Sequence, residues 1–170
     1  MAAKHGKAFT LIEALLAAVV LAVAVSALVV PFAAGVRMQQ VETRRSLAAS
    51  VAEQMMEEIL HRAFEEPDDA DNEPEDEADF GPESDERERR DFDAIDDYDG
   101  YTEAPGTLTD AGGALITDPG IEGLSRHVGA DYVYVAGQDT SRDVPLLRVT
   151  VEVRHEGRPI ITLTRLVHWL

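Results

Sequence analysis

Two sets of carboxylates are the residues whose type and placement could do chemistry. The first is a single residue. Glu13 stands at the head of a run, Ala14 to Val36, in which 23 consecutive residues carry no ionisable side chain. An isolated acid costs about 2.5–3.5 kcal/mol at the centre of a hydrocarbon layer and less near its edge, so it needs water or a cation. No basic side chain follows within a helical turn, so the partner would be the interface, another group or another chain. The second set lies in Asp91–Tyr101, where Asp93, Asp96, Asp97 and Asp99 alternate with aromatics. Clustered carboxylates suit hard cations, so these four are the calcium candidates. The EF-hand pattern fails here: with Gly100 as its sixth position, Ile95 falls where the first Asp belongs and Gly106 where the closing Glu belongs.

Other chemistries find little support. With no cysteine, a disulfide framework, thiolate zinc and a cysteine nucleophile are excluded. Five histidines (His5, His61, His127, His155, His168) are scattered, and no Gly-x-Ser-x-Gly, His-Glu-x-x-His or Walker loop occurs. An enzyme is not expected. The net charge of −18 would repel phosphates, so nucleic acid is not an expected partner.

The elements that must position these residues follow from the composition, which changes in blocks. Residues 1–8 are short and basic, with Lys4 and Lys7. Residues 9–36 are apolar on every side. At about 1.5 Å per residue they are long enough, as a helix, to cross about 30 Å of hydrocarbon. The lysines precede the span and acids follow it, so the positive-inside rule puts the N-terminus in the cytoplasm and the rest outside. A cleaved secretory signal competes with this reading, but the apolar run is longer than an ordinary signal core and lacks a clear cleavage site.

Residues 37–64 continue the helix in amphipathic form. Val41, Ala48, Val51, Ala52, Met55, Ile59 and Ala63 recur at steps of three, four or seven, and Pro67 ends the run. Met55 and Met56 read as packing residues rather than ligands. Residues 65–103 form an acidic insertion holding 20 of the 33 acids and three of the 15 basic residues. Its first part, Glu65–Glu77, repels itself and cannot build a core, so the insertion reads as partly disordered. The aromatics of Asp91–Tyr101 suggest an ordered return.

Residues 104–170 carry the strands. Leu147, Val149, Val151 and Val153 alternate with polar neighbours, His155–Arg158 is a turn, and Ile160–Trp169 returns. Tyr132–Val135 is a further short strand, and Ala104–Gly129 reads as loop anchored by Ile121, Leu124 and Val128. The expected class is α+β, a long N-terminal helix laid on a small C-terminal antiparallel sheet.

Lys4-His5-Gly6-Lys7-Ala8, then Phe9-Thr10-Leu11-Ile12-Glu13, then an apolar helix, resembles the class III leader and N-terminus of type IV pilins and type II secretion pseudopilins. The likeness covers about 28 residues directly. It implies cleavage by a prepilin peptidase between Ala8 and Phe9, N-methylation of Phe9, and Glu13 as the acid that neutralises the terminal amine of a neighbouring subunit. Pro31 resembles the proline that kinks the helix in that family. The residue before the cut is usually Gly; here it is Ala8, with Gly6 two positions earlier.

The function so implied is that of a structural subunit, a minor pseudopilin of a type II secretion system. Its partners would be the prepilin peptidase, other pilins or pseudopilins and the inner membrane, with the C-terminal domain periplasmic. No cofactor is implied, calcium being the one candidate. A minor subunit of a type IV pilus is one alternative. A single-span acidic surface protein that binds calcium or adheres, and never polymerises, is another. The absence of cysteine removes the disulfide-bounded loop common in major type IV pilins, and the presence of Glu13 weighs against the tip-type pseudopilin.

Overall fold

The apolar run and its amphipathic continuation form one helix, α1, Leu11–Ile59, in a computed structural model that describes residues 10–64, 80–84, 86–138 and 146–168. The chain divides into two units, residues 1–42 and 43–170, so α1 contributes to both.

In the first unit every described residue with a placed side chain is exposed, from Leu11 at 80% to Val36 at 43%. This helix is long and apolar enough to span a membrane. It runs unbroken through Pro31, whose ring leaves the Ala27 carbonyl without its usual i+4 donor. One residue before that carbonyl, Ser26 Oγ donates to the Ala22 carbonyl at 2.8 Å, which meets the hydroxyl's need for a partner within the helix itself.

The second unit is built around the other end of α1. Ala48, Val51, Ala52, Met55, Met56 and Ile59 are all buried and form its inner stripe. The helix stops at Ile59, one turn short of the expected end at Phe64. The cause is tertiary. Ala63 donates its N–H to the Asp93 carbonyl at 3.1 Å, and its own carbonyl accepts from Ile95 at 3.0 Å. Those bonds to the returning acidic segment replace the last helical turn.

Four antiparallel strands follow in the spatial order of the chain: β1 Thr102–Glu103, β2 Leu124–Val133, β3 Leu146–His155 and β4 Arg158–Val167. The β3–β4 hairpin closes through Glu156 and Gly157, with φ of 51° and 77°. Both are left-handed, as a two-residue type I′ turn requires, and its twist matches that of the flanking strands. On β3, Leu147, Val149, Val151 and Val153 point inward and are buried, as the alternation predicts. They share one hydrophobic cluster with the α1 stripe. Burying a side chain of this size contributes about 1.5–3 kcal/mol, so this helix-on-sheet contact contributes substantially to the stability of the unit.

A second expectation fails, at β2. Leu124–Gly129 is not loop but the first half of β2, paired with β3 from Leu124↔His155 to Gly129↔Thr150. Its inward positions are Leu124, Arg126, Val128 and Ala130, and the arginine in that row hides the apolar alternation.

From Phe80 onward the described part of the acidic insertion packs on the domain. Phe92, Ala94, Ile95 and Tyr98 are buried, and Phe80 meets Tyr132 edge-on at 4.9 Å between ring centroids. Glu65–Asp79 lies outside the described residues, as do the leader and the chain end at Trp169.

Candidate functional site

Two places gather the residues singled out by their chemistry. The first is the start of α1. Thr10 caps the helix: its Oγ1 accepts from Glu13 N at 3.3 Å, and its carbonyl accepts from Glu13 N and Ala14 N, each at 3.1 Å. Thr-x-x-Glu is the spacing of a capping box, in which the Glu would reach back to the cap's N–H. Among the described residues, the Glu13 carboxylate makes no such bond and no ion pair. The helix dipole gives an acid in the first turn about 0.3–1 kcal/mol, too little to offset a desolvated charge. Glu13 is thus an exposed acid on an exposed apolar helix, without a counter-charge among the described residues. Ala8 and Phe9, the two sides of the expected cut, lie outside the described residues.

The second place is the ordered end of the acidic insertion. The four calcium candidates do not converge on one point. Asp93 is exposed, and its carbonyl bonds Ala63. Asp99 Oδ1 accepts from Ala130 N at 2.8 Å, which ties this segment to β2. Asp96 is buried. Asp97 is fully buried in the short 3-10 helix Asp96–Tyr98, and its Oδ2 accepts from Asp93 N at 2.9 Å and Ala94 N at 2.8 Å.

Of these four, only Asp97 joins a cluster of acids among the described residues, and its neighbours are Glu83 and Glu86. One carboxylate oxygen from each of the three lies within 4.8 Å of the others. Asp97 Oδ1 and Glu86 Oε2 are buried and accept from no backbone or basic group among the described residues; a proton on the Glu86 carboxyl would join it to Asp97. Burial first, then the neighbouring Asp97 and Glu83 carboxylates, push the Glu86 carboxyl up to about 8. Three carboxylates offer acceptors only, so a proton or a cation must mediate between them. Sequence reasoning missed Glu83 and Glu86. The available signal was their i, i+3 spacing just after Pro82, where a turn joins them through Glu86 N and the Glu83 carbonyl at 3.1 Å.

A buried ionic network in the same unit also escaped sequence reasoning. Arg126, 2% exposed on β2, donates through Nε to Glu103 Oε2 at 2.6 Å. Its two terminal nitrogens donate to the Val51 carbonyl of α1 and the Thr109 carbonyl, each at 2.9 Å. Glu103 Oε1 also accepts from Arg89 at 3.0 Å, and Arg89 Nε pairs with Glu58 of α1 at 3.0 Å. Tyr98 Oη donates to the same Glu58 oxygen at 3.1 Å. Burial lowers the Arg126 pKa, and Glu103 opposes that shift. Two arginines and two glutamates balance in charge. They join α1, the acidic segment, β1 and β2, which fixes the backbone that carries Asp97.

Comparison of the chain with family models, curated proteins and solved structures gave no match.

Proposed function

We propose that the chain is a pilin-like structural subunit of a membrane-associated filament, and more narrowly a minor pseudopilin of a type II secretion system. The observation that carries this reading is Glu13. It is an acid without a counter-charge among the described residues, in the first turn of a helix whose described apolar side chains are exposed over this first unit. It is the fifth residue after the site where the leader motif, Lys4 to Ala8, would be removed. A helix of this kind needs lipid before assembly and neighbouring helices after it.

Cleavage before Phe9 would create a free α-amine, and Glu13 of a neighbouring subunit would be its counter-ion. At about 4 Å their attraction is about 4 kcal/mol at an effective dielectric of about 20. A slipped register would leave both charges unpaired in apolar surroundings, so the pair sets stacking register more than raw affinity. The second unit would be presented outside the membrane, with the N-terminus in the cytoplasm. The absence of cysteine and the small helix-on-sheet unit favour a pseudopilin over a type IV pilus subunit.

The test is the sensitivity of processing to residue 8. In membranes containing a prepilin peptidase, the wild-type chain is expected to lose its leader, and Ala8→Gly to lose it at least as fast. Ala8→Glu is expected to remain at full length. Equal mobility of all three, with or without the peptidase, would contradict the reading.

A further inference from the structure

The two edges of the sheet differ. β1 is two residues long, whereas β4 runs for ten, and among the described residues no strand pairs with its outer side. An open edge of that length is a template for another chain, and a second copy is the chain always at hand. Pro159 and the register shift between Val153 and Arg154 break the first part of this edge: proline has no N–H, and the shift leaves Ile160 without a cross-strand partner. The remainder, Ile161–Val167, is seven residues of isoleucine, valine, leucine and threonine with no proline or glycine. That is the composition of a self-pairing segment but for one residue, Arg165. We propose that Arg165 guards the β4 edge and keeps it from pairing with β4 of a second copy of this chain.

The place of the arginine in the ladder carries this. Arg165 lies opposite Val149, and Val149 opposite Ala130, so one row across the sheet is Ala130, Val149, Arg165. Ala130 and Val149 are buried, and the neighbouring rows of that face end on β4 in the half-buried Ile161, Leu163 and Val167. The alternation thus calls for an apolar residue at 165 and finds a charge. Arg165 is exposed, its Nη1 donates to the Thr164 carbonyl at 3.2 Å, and it makes no ion pair among the described residues. Arg148 and Arg154 on β3, by contrast, pair with Asp131 and Glu152. Residues directly opposite in a ladder share a face. A second β4, in any register that overlaps Ile161–Val167, would therefore set Ile161, Leu163, Val167 or another Arg165 against Arg165. The first three would cover the charge with hydrocarbon, and the fourth would bring like charges together; both disfavour pairing. Without the charge, the remaining exposed area of Leu163 and Val167 would favour it.

The experiment is amide hydrogen exchange of the full chain in detergent micelles, followed by peptide mass over Ile161–Val167 at increasing protein concentration. This readout is local to β4, so association through α1 does not move it. In the wild type, the amides of this segment that point away from β3 are expected to exchange at a rate independent of concentration. In Arg165→Val they should slow as concentration rises, by about tenfold once about nine-tenths of the chains are paired. Arg165→Lys and Arg165→Glu should both behave as the wild type, which separates the charge from the contact with the Thr164 carbonyl. All three variants should keep the wild-type thermal midpoint at the lowest concentration, because the side chain is exposed. Concentration-dependent protection in the wild type would overturn the proposal. So would its absence in Arg165→Val, or protection in Arg165→Lys and Arg165→Glu equal to that in Arg165→Val. Leader cleavage plays no part in these results, so the guard and the pilin reading stand or fall separately.

Discussion

Replacing Arg126 with alanine is expected to destabilise the second unit by about 3–5 kcal/mol, the usual cost of removing one partner of a buried ion pair. Arg126 spends its donors on Glu103, the Val51 carbonyl and the Thr109 carbonyl, all within reach of one guanidinium. Without it, Glu103, 6% exposed, is left with Arg89 and Thr109 among the described residues. A loss of that size changes the folded-to-unfolded ratio by about two to three and a half orders of magnitude. It can be measured by urea unfolding of the detergent-extracted chain, followed through its strand signal in circular dichroism. The double change Arg126→Met/Glu103→Gln should recover much of the loss, because it buries no unpaired charge. If Arg126→Ala alone costs under about 1 kcal/mol, the network is not holding α1 to the sheet.

Glu13→Gln is expected to act on assembly and leave folding alone. The substitution keeps the size and removes the charge. The Glu13 carboxylate makes no described contact that the fold needs, so the variant should insert in the membrane, lose its leader and keep the stability of the second unit. What it should lose is incorporation into a filament. An interaction of about 4 kcal/mol corresponds to nearly three orders of magnitude in an association constant. Quantifying the chain in sheared filaments, from cells that express the other subunits, reads this directly. A single-span surface protein that never polymerises predicts no difference between the wild-type and Glu13→Gln chains in any fraction.

The parts of the molecule that rest on periodicity were legible before folding. The long helix, the Val51–Met55–Ile59 stripe and the alternation of Leu147 to Val153 depend on neighbours three, four or two residues apart, and a linear reading sees those. So does the turn between β3 and β4, where Gly157 accepts the left-handed backbone. The first half of β2 was not legible, because Arg126 occupies an inward position that the apolar pattern needs. Its burial makes sense only beside Glu103, 23 residues away along the chain, and Arg89, 14 residues from Glu103. The end of α1 depends likewise on Ala63 meeting Asp93 and Ile95.

The acid cluster illustrates the same limit. Of the aspartates at 93, 96, 97 and 99, only Asp97 joins it, and the other two members lie more than ten residues earlier. In a segment this rich in carboxylates, composition cannot show which acids converge. The backbone bonds that hold Asp97 decide it. Glu13 is the opposite case. Its isolation within an apolar run is a property of the sequence, visible without a fold.

The measurement that tests the central claim most directly is the intact mass and N-terminal sequence of the full chain, extracted from membranes after co-expression with a prepilin peptidase. The expected product begins at Phe9 and carries one added methyl group on its α-amine. A chain beginning at Met1 or Ala2 would make Phe9-Thr10-Leu11-Ile12-Glu13 a coincidence and leave an ordinary anchored protein. A cut after the apolar run would make residues 9–36 a secretory signal, and would contradict the pilin reading outright.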